Sequence, residues 1–354
     1  MKYQFLKNLT SRIYWALRAK NFAILRQSFI YKWYLLYAQL NFTADDGQAY
    51  LKQKSYNDLR RRAQRNPIGF NEKVLYRMAF DRNPLFPILS DKIEVRRYVE
   101  KRVGEKLLIP VLAICDSPEK LNWQELPQEF VCKVSHGSGG IIGVYKDVEI
   151  YSELPVEISS LGWSRYWVNP ESFNPSRAEE MLKKWLSLSY EWGPGRFPEW
   201  GYAGLKPRII IEKLLLRPDS KIATQIQFYV FDGKVKLIRK NLRSIDGTKD
   251  MQFYTIGWDR LPIEFLDGVK YIRLEDPQPK PENLSSMISI AECLGEGLDF
   301  ARVDLYDLGS DIRFGEMTMY PSAGSVSFGP QNFNIELGNY WKLDTRFFKA
   351  SLKR

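Results

Sequence analysis

Two short runs near the C-terminal end, Arg302-Val303-Asp304 and Glu316-Met317-Thr318, bring together an arginine, two acids and a hydroxyl. If the runs pair as antiparallel strands, Arg302, Asp304 and Tyr306 share one face, and so do Ile312, Phe314, Glu316 and Thr318. Setting Tyr306 opposite Ile312 across a five-residue loop places Arg302 opposite Glu316. Asp304 is then diagonal to Glu316, with Cβ atoms roughly 7–8 Å apart. Two carboxylates so placed can grip a cation. Magnesium prefers oxygen ligands and usually keeps phosphate oxygens in its shell, so the pattern suits a metal–polyphosphate site. The same residues equally suit an Arg302–Glu316 salt bridge on a solvated sheet face.

The second candidate is "VCKVSHGSGGIIGVYKD", residues 131–147. Backbone N–H groups of a glycine-rich loop can wrap phosphate oxygens because no side chain blocks the approach. Lys133 would bring a point charge to the same anion, with Ser135, His136, Gly137, Ser138, Gly139 and Gly140 forming the loop. The lysine precedes the glycines, so this is not the GxxxxGK[ST] phosphate loop. A plain turn remains open as the alternative, and so does an ordinary loop role for His136. Since His136 is the one histidine of the chain, mechanisms needing two are excluded.

These residues need elements to hold them. "EFVCKVS" alternates as a strand, with Lys133 and Ser135 on one face. "KPRIIIEKLLL" (206–216) reads as a buried strand carrying one acid, Glu212. In "TQIQFYVFDGKVKLIRK" (224–240), two β-rich runs flank Asp232-Gly233, the signal for a type I′ hairpin. Helices are expected at 176–190 and 284–295. Another is expected after Asp91, with Glu94 completing a capping box and Gly104 as the stop. "LLIPVLAI" reads as a short buried strand or extended segment, and "WGPGRFPEW" as a loop. Strand pairs joined by tight turns, interleaved with helices, indicate an α+β fold with mainly antiparallel sheets.

Composition bounds the rest. At 354 residues, two or three structural units are expected, and 27% charged residues is ordinary for a globular chain. The net charge of +10 is concentrated: residues 1–44 hold seven cations and no acid. "SFIYKWYLLYAQLNF" (28–42) is too short to span a bilayer and suits a helix lying at an anionic membrane surface. Packing of that stripe on the protein's own core is the alternative, and nucleic acid is the least expected partner. Three distant cysteines, Cys115, Cys132 and Cys293, give no zinc spacing and fit a reducing compartment.

The order of these features resembles the ATP-grasp superfamily, and most closely its TupA-like branch of cell-surface polysaccharide biosynthesis. The similarity is carried by "FNEKVLYRMAFDRNPLF…SDKIEVRRYV", "FVCKVSHGSGG", "KPRIIIEKLL", "FYVFDGKVK" and "RVDLYDLGSDIRFGEMTMYPSAG", across roughly residues 68–325. It implies ATP held between a lid and a C-terminal sheet. The implied parts are the start of the core (66–127), a lid (128–212) and a C-terminal subdomain (213–354); residues 1–65, outside the resemblance, read from their own composition as a basic helical extension. By the same resemblance, Lys92 and Lys133 contact ATP phosphates, and Ser135 to Gly140 close over them. Glu212, Lys213 and Leu214 line the adenine pocket, largely through backbone groups. Asp304, Glu316 and Thr318 hold magnesium, and Arg302 meets the charge that develops in acyl transfer. Thr318 stands where many ATP-grasp enzymes have Asn, and Gln225-Ile226-Gln227 where the family tends to carry Asp-Tyr-Lys. The implied activity is an ATP- and Mg²⁺-dependent carboxylate–amine ligase working through an acyl phosphate. Its expected substrates are a glycan or lipid-linked saccharide carboxylate and an amine or amino acid, at the inner face of the cytoplasmic membrane. Two other readings stay open. One is a nucleotide-sugar glycosyltransferase, against which the missing DxD motif counts. The other is a non-catalytic module that binds nucleotide or membrane.

Overall fold

A computed structural model describes residues 61, 63, 65–148, 153–190, 199–218, 221–243, 249–266 and 276–348. The expected membrane-surface helix lies outside them, as does most of the expected loop at 192–200. Contacts divide the chain after Asp58, and the unit from Leu59 onward is the one described.

Helix α1 (Phe70–Phe80) buries Phe70, Val74, Leu75 and Met78, a stripe at helical spacing. Its first donors are met by Glu72, whose carboxylate accepts from the N–H groups of Ile68 (2.9 Å) and Gly69 (3.0 Å). Helix α2 (Leu85–Ser90) leads to α3 (Glu94–Val103). Asp91 accepts from the N–H groups of Ile93 (2.7 Å) and Glu94 (3.1 Å), as its position before the helix predicts. The expected reciprocal bond from Glu94 is absent among the described residues, because that carboxylate takes Arg208 instead, at 2.7 Å. Gly104 ends α3 with φ 93°.

The first sheet comprises β1 (Val111–Cys115), β2 (Phe130–Val134), β3 (Ile141–Val144), β4 (Arg165–Val168) and β5 (Ile209–Lys213), in the order β1-β5-β2-β3-β4. Only the β3–β4 pair is parallel. Helix α4 (Pro175–Leu186) starts at Asn174, whose side chain accepts from the N–H of Arg177. The helix sets Met181, Leu182 and Trp185 against Cys132, Ile142, Ile209 and Ile211. Strand alternation turns Lys133 and Glu212 to the other face. "LLIPVLAI" supplies an edge strand rather than a buried one: Leu112 and Ile114 stay exposed on β1. A short apolar run does not say whether one face or both will be covered.

The second sheet contains β6 (Thr224–Phe231), β7 (Lys234–Arg243), β8 (Lys249–Tyr254), β9 (Arg260–Leu261), β11 (Phe300–Asp307) and β12 (Ile312–Thr318), while the short β10 (Glu264–Phe265) pairs apart from it with Phe328–Gly329. Its order is β12-β11-β6-β7-β8-β9, antiparallel throughout. Asp232 (φ 47°) and Gly233 (φ 71°) form the left-handed pair expected of the β6–β7 hairpin. Helix α5 (Leu284–Gly295) packs on β6, β7 and β11. Phe300 shares a face of β11 with Arg302, Asp304 and Tyr306. Phe70, Phe231 and Trp341 surround it at ring distances of 5.2, 4.9 and 4.6 Å. One end of that face is therefore core, and the other is free to do chemistry. The architecture is α+β with mainly antiparallel sheets.

Candidate active site

Asp304 and Glu316 lie directly opposite one another, and Arg302 opposes Thr318. The expected register had Asp304 diagonal to Glu316. Two one-residue differences add up to the change. The loop is one residue shorter than expected, since Asp307 already pairs with Ile312, and a bulge at Gly315 inserts one residue in β12. Beyond the bulge the shift totals two, which keeps Arg302, Asp304, Glu316 and Thr318 on one face and moves the acids into direct opposition; before it the shift is one, so Ile312 and Phe314, expected on that face, oppose Asp307 and Leu305 on the other. Glycine fits the bulge because a Cβ there would lie 3.0 Å from the Asp304 carbonyl oxygen.

Both readings of this hairpin meet in one geometry. Arg302 donates from Nε to Asp304 Oδ1 (2.7 Å), and from Nη2 to Asp304 Oδ2 (2.7 Å) and Glu316 Oε1 (2.6 Å). Thr318 Oγ1 donates to the same Glu316 oxygen at 3.1 Å. Asp304 is fully buried, whereas the Glu316 side chain keeps 41% of its surface. Burial lifts the Asp304 pKa to about 6, with Arg302 opposing and Glu316 adding to the rise. Burial pushes Glu316 the same way, but Arg302, Arg165 and Lys92 outweigh it and hold its pKa below the usual range. One guanidinium nitrogen thus bridges two carboxylates beside a hydroxyl. Those are oxygen donors around a shared positive charge, a set that fits a hard divalent cation.

A cleft joins the two sheets. It is lined by Lys92, Arg96, Lys133 and Arg165, by Glu212 and Glu316, and by Ile141, Tyr306 and Phe314 beside Gln225 and Gly315. Lys133 Nζ donates to Glu212 Oε2 at 2.7 Å, and Arg96 holds the other oxygen at 3.1 Å. Burial disfavours the charge on Lys133, but Glu212, Tyr306 and Glu316 overcome it and raise its pKa. Lys92 donates from Nζ to the Gly137 carbonyl. Burial, with Lys133 and Arg165 adding, brings its pKa down to about 8 against the pull of Glu316.

The glycine loop is pinned at its base, where the Ser135 N–H meets Arg208 O (2.8 Å) and Ser135 Oγ meets Asp91 (3.2 Å). Its glycines have a packing reason as well as a binding one. A Cβ on Gly137 would lie 2.6 Å from the Trp163 ring, and one on Gly139 2.9 Å from the Trp163 backbone. Gly139 and Gly140 hold φ of 118° and 62°. The N–H groups of Ser138, Gly139 and Gly140 donate no hydrogen bond to another described residue, which leaves them available to an anion. His136 is buried, with Nε2 bonded to Leu188 O (3.0 Å) and its ring against Trp163, so it anchors the loop.

Lys92, Lys133, Glu212 and Glu316 line the cleft, with Asp304 and Arg302 beneath Glu316. The Glu212 side chain faces the cleft clamped by two cations, an engagement beyond the backbone contact first expected of it. Lys213 is exposed, and Leu214 packs with Tyr145 and Val148 away from the cleft lining. Sequence reasoning missed Arg96 and Arg165. Arg96 follows Lys92 by four residues, a usable signal. Arg165 sits in "GWSRYWV", where only its pairing with Ile141, the residue after the glycine loop, brings it to the cleft.

A family model described as TupA-like ATPgrasp matches residues 72–342. Comparison with curated proteins gave no match. Among solved structures, ATP-grasp ligase PsnB with a minimal precursor aligns at 12% identity and TM-score 0.33, over 68% of this chain and 55% of that one. PsnB with a phosphomimetic precursor variant, Mg and ADP aligns at 11% and 0.35, over 74% and 61%. D-alanine–D-alanine ligase from Bacillus anthracis with ATP aligns at 15% and 0.35, over 72% and 64%. The chain spans less than two thirds of the length of each.

Proposed function

The chain belongs to the TupA-like ATP-grasp family, and from that premise we propose that it is an ATP- and Mg²⁺-dependent carboxylate–amine ligase. The observation that carries this reading is Glu316, lining a cleft together with Lys133 and Arg165, with Asp304 buried directly opposite it in the sheet. In the proposed reaction a substrate carboxylate oxygen attacks the γ-phosphorus of ATP. The new P–O bond forms as the bond to the β-phosphate oxygen breaks, giving an acyl phosphate and ADP. An amine nitrogen then attacks the carbonyl carbon, phosphate leaves with the C–O electron pair, and the amine's proton passes to solvent.

Phosphoryl transfer asks mainly for positioning and charge neutralisation. Lys92 and Lys133 supply fixed cations to the phosphates, and the free N–H groups of residues 138–140 close on them. Magnesium would be held by Asp304, Glu316 and Thr318 and would neutralise phosphate charge. Arg302, freed from the acids, would turn its guanidinium to the oxyanion of the tetrahedral step. No nucleophilic side chain is required. The test is phosphate release from ATP with Mg²⁺ against a panel of uronates and amino acids. Release should depend on both substrates and be lost in Glu316→Gln; turnover of a nucleotide sugar without ATP would overturn the reading.

The proposed carboxylate is a uronic acid unit of a surface glycan or its lipid-linked precursor, and the acceptor is an amine or amino acid. We place the reaction at the inner face of the cytoplasmic membrane, where the seven cations of residues 1–44 would meet anionic lipid. Among the described residues, no helix is long and apolar enough to cross a membrane. Binding to anionic liposomes should weaken with salt and vanish on deletion of residues 1–65. Equal binding after the deletion would refute the placement.

A further inference from the structure

Four strands carry one rank of polar residues. Arg239 on β7 is directly opposite Gln227 on β6; Gln227 is opposite Asp304 on β11, and Asp304 is opposite Glu316 on β12. All but Glu316 are buried. Arg239 donates from Nε to Gln227 Oε1, and Gln227 Nε2 donates to Asp304 Oδ2 at 2.6 Å. Arg239 also lies over the Phe265 ring, its guanidinium carbon 5.2 Å from the centroid.

The amide has one orientation open to it. A guanidinium can only donate, so the Gln227 oxygen must face Arg239 and the NH₂ must face Asp304. The arginine thereby decides which end of the amide meets the acid. Asp304 is held from both sides, by Arg302 along its own strand and by Gln227 across the sheet. Only the first of these holds can let go when Arg302 turns away; the second is fixed in the sheet.

We propose that Arg239 and Gln227 are positioning residues that aim the Asp304 carboxylate at the divalent cation. This inference rests on the reading that Asp304 and Glu316 hold that cation. Gln227 ties Oδ2, whereas Oδ1 is held by Arg302 Nε and comes free when Arg302 leaves. The restraint matters most when Arg302 leaves, because an acid otherwise free to rotate must be ordered at the moment of binding.

The test is Mn²⁺ binding, read by electron paramagnetic resonance of the free ion, with a non-hydrolysable ATP analogue present. Full-length wild type is compared with Gln227→Leu, Arg239→Lys, Arg239→Met and the Gln227→Leu/Arg239→Met double variant. We expect Gln227→Leu and Arg239→Met to weaken Mn²⁺ affinity by about tenfold, with analogue affinity in EDTA unchanged. Arg239→Lys, which keeps a donor and a charge, should recover most of the loss. In turnover, the Mg²⁺ requirement should rise while kcat at saturating Mg²⁺ stays near wild type. Should a single variant fail to fold, the double variant decides, because it strips the buried cation with its partner. Wild-type Mn²⁺ affinity in a folded double variant would overturn this inference alone. Mn²⁺ binding that survives Glu316→Gln would instead overturn the proposed function beneath it.

Discussion

At the residue scale the cleft is a set of charges whose partners decide what each can do. Lys92 gives the sharpest case. Burial lowers its pKa to about 8, well under the usual lysine value of roughly 10.4. In the free protein the amine therefore gives up its proton more readily than an ordinary lysine does. Between those two values the unfolded chain binds the extra proton, so the Lys92 contribution to stability improves as pH rises. A bound triphosphate demands the opposite, a charged amine. The rise in Tm caused by an ATP analogue should accordingly shrink as pH climbs through about 8. Lys92→Arg should keep the rise flat over that range, because a guanidinium stays charged. A wild-type rise that does not change with pH would remove Lys92 from the phosphate site. Arg165 is the second case. It lines the cleft and is exposed, and its side chain makes no hydrogen bond or salt bridge with another described residue. Redirecting its guanidinium breaks no side-chain hydrogen bond among the described residues and gives up only its attraction to Glu316. Arg165→Ala should weaken triphosphate binding by about tenfold, the scale of one charge-assisted hydrogen bond, and leave AMP binding alone. Equal losses for AMP and the triphosphate, measured by calorimetry, would place Arg165 elsewhere.

At the element scale, strand faces were legible in the sequence and strand registers were not. Alternation alone puts Arg302, Asp304 and Tyr306 together, and it puts Lys133 opposite Cys132 in facing; both hold in the folded chain. The helix at 284–295, the one expected at 176–190 and found at 175–186, four residues shorter at its C-terminal end, and the Asp232-Gly233 turn follow from periodicity and turn chemistry that act locally. The bulge at Gly315 does not announce itself, because a glycine in a strand is compatible with several defects. Nor does the role of Trp163, which becomes necessary only when the glycine loop folds back on it. Gln225 and Gln227 stood out only as departures from a family pattern, and the rank across four strands gives Gln227 its use. The loop yields a prediction of its own. Gly140 holds φ 62°, and a Cβ there would meet Val134 Cγ2 at 2.5 Å. Gly140→Ala should cost about 1–3 kcal/mol of stability, read as a lower urea midpoint with an unchanged slope. An unshifted midpoint would mean that the loop is not held in this conformation.

At the scale of the whole molecule, two sheets of different topology meet at one cleft, and each supplies what the other lacks. The five-stranded sheet brings Lys133, Arg165 and the glycine loop; the six-stranded sheet brings Asp304 and Glu316. Helix α3 closes one side through Arg96, which ties Glu212 to the Ile109 carbonyl. Neither sheet alone could neutralise a triphosphate and hold its metal, so the order of blocks along the chain is meaningful only once the chain has folded over itself. The central claim is that this cleft binds a nucleoside triphosphate through a divalent cation seated on the two opposed acids. Calorimetric titration with a non-hydrolysable ATP analogue, with Mg²⁺ and with EDTA, tests it most directly in wild type and in Asp304→Asn/Glu316→Gln. The account predicts that Mg²⁺ tightens wild-type binding by at least about tenfold, and that the double variant loses this gain while keeping its EDTA affinity. A double variant that still gains from Mg²⁺ as wild type does, or a wild type that binds no analogue, would contradict it.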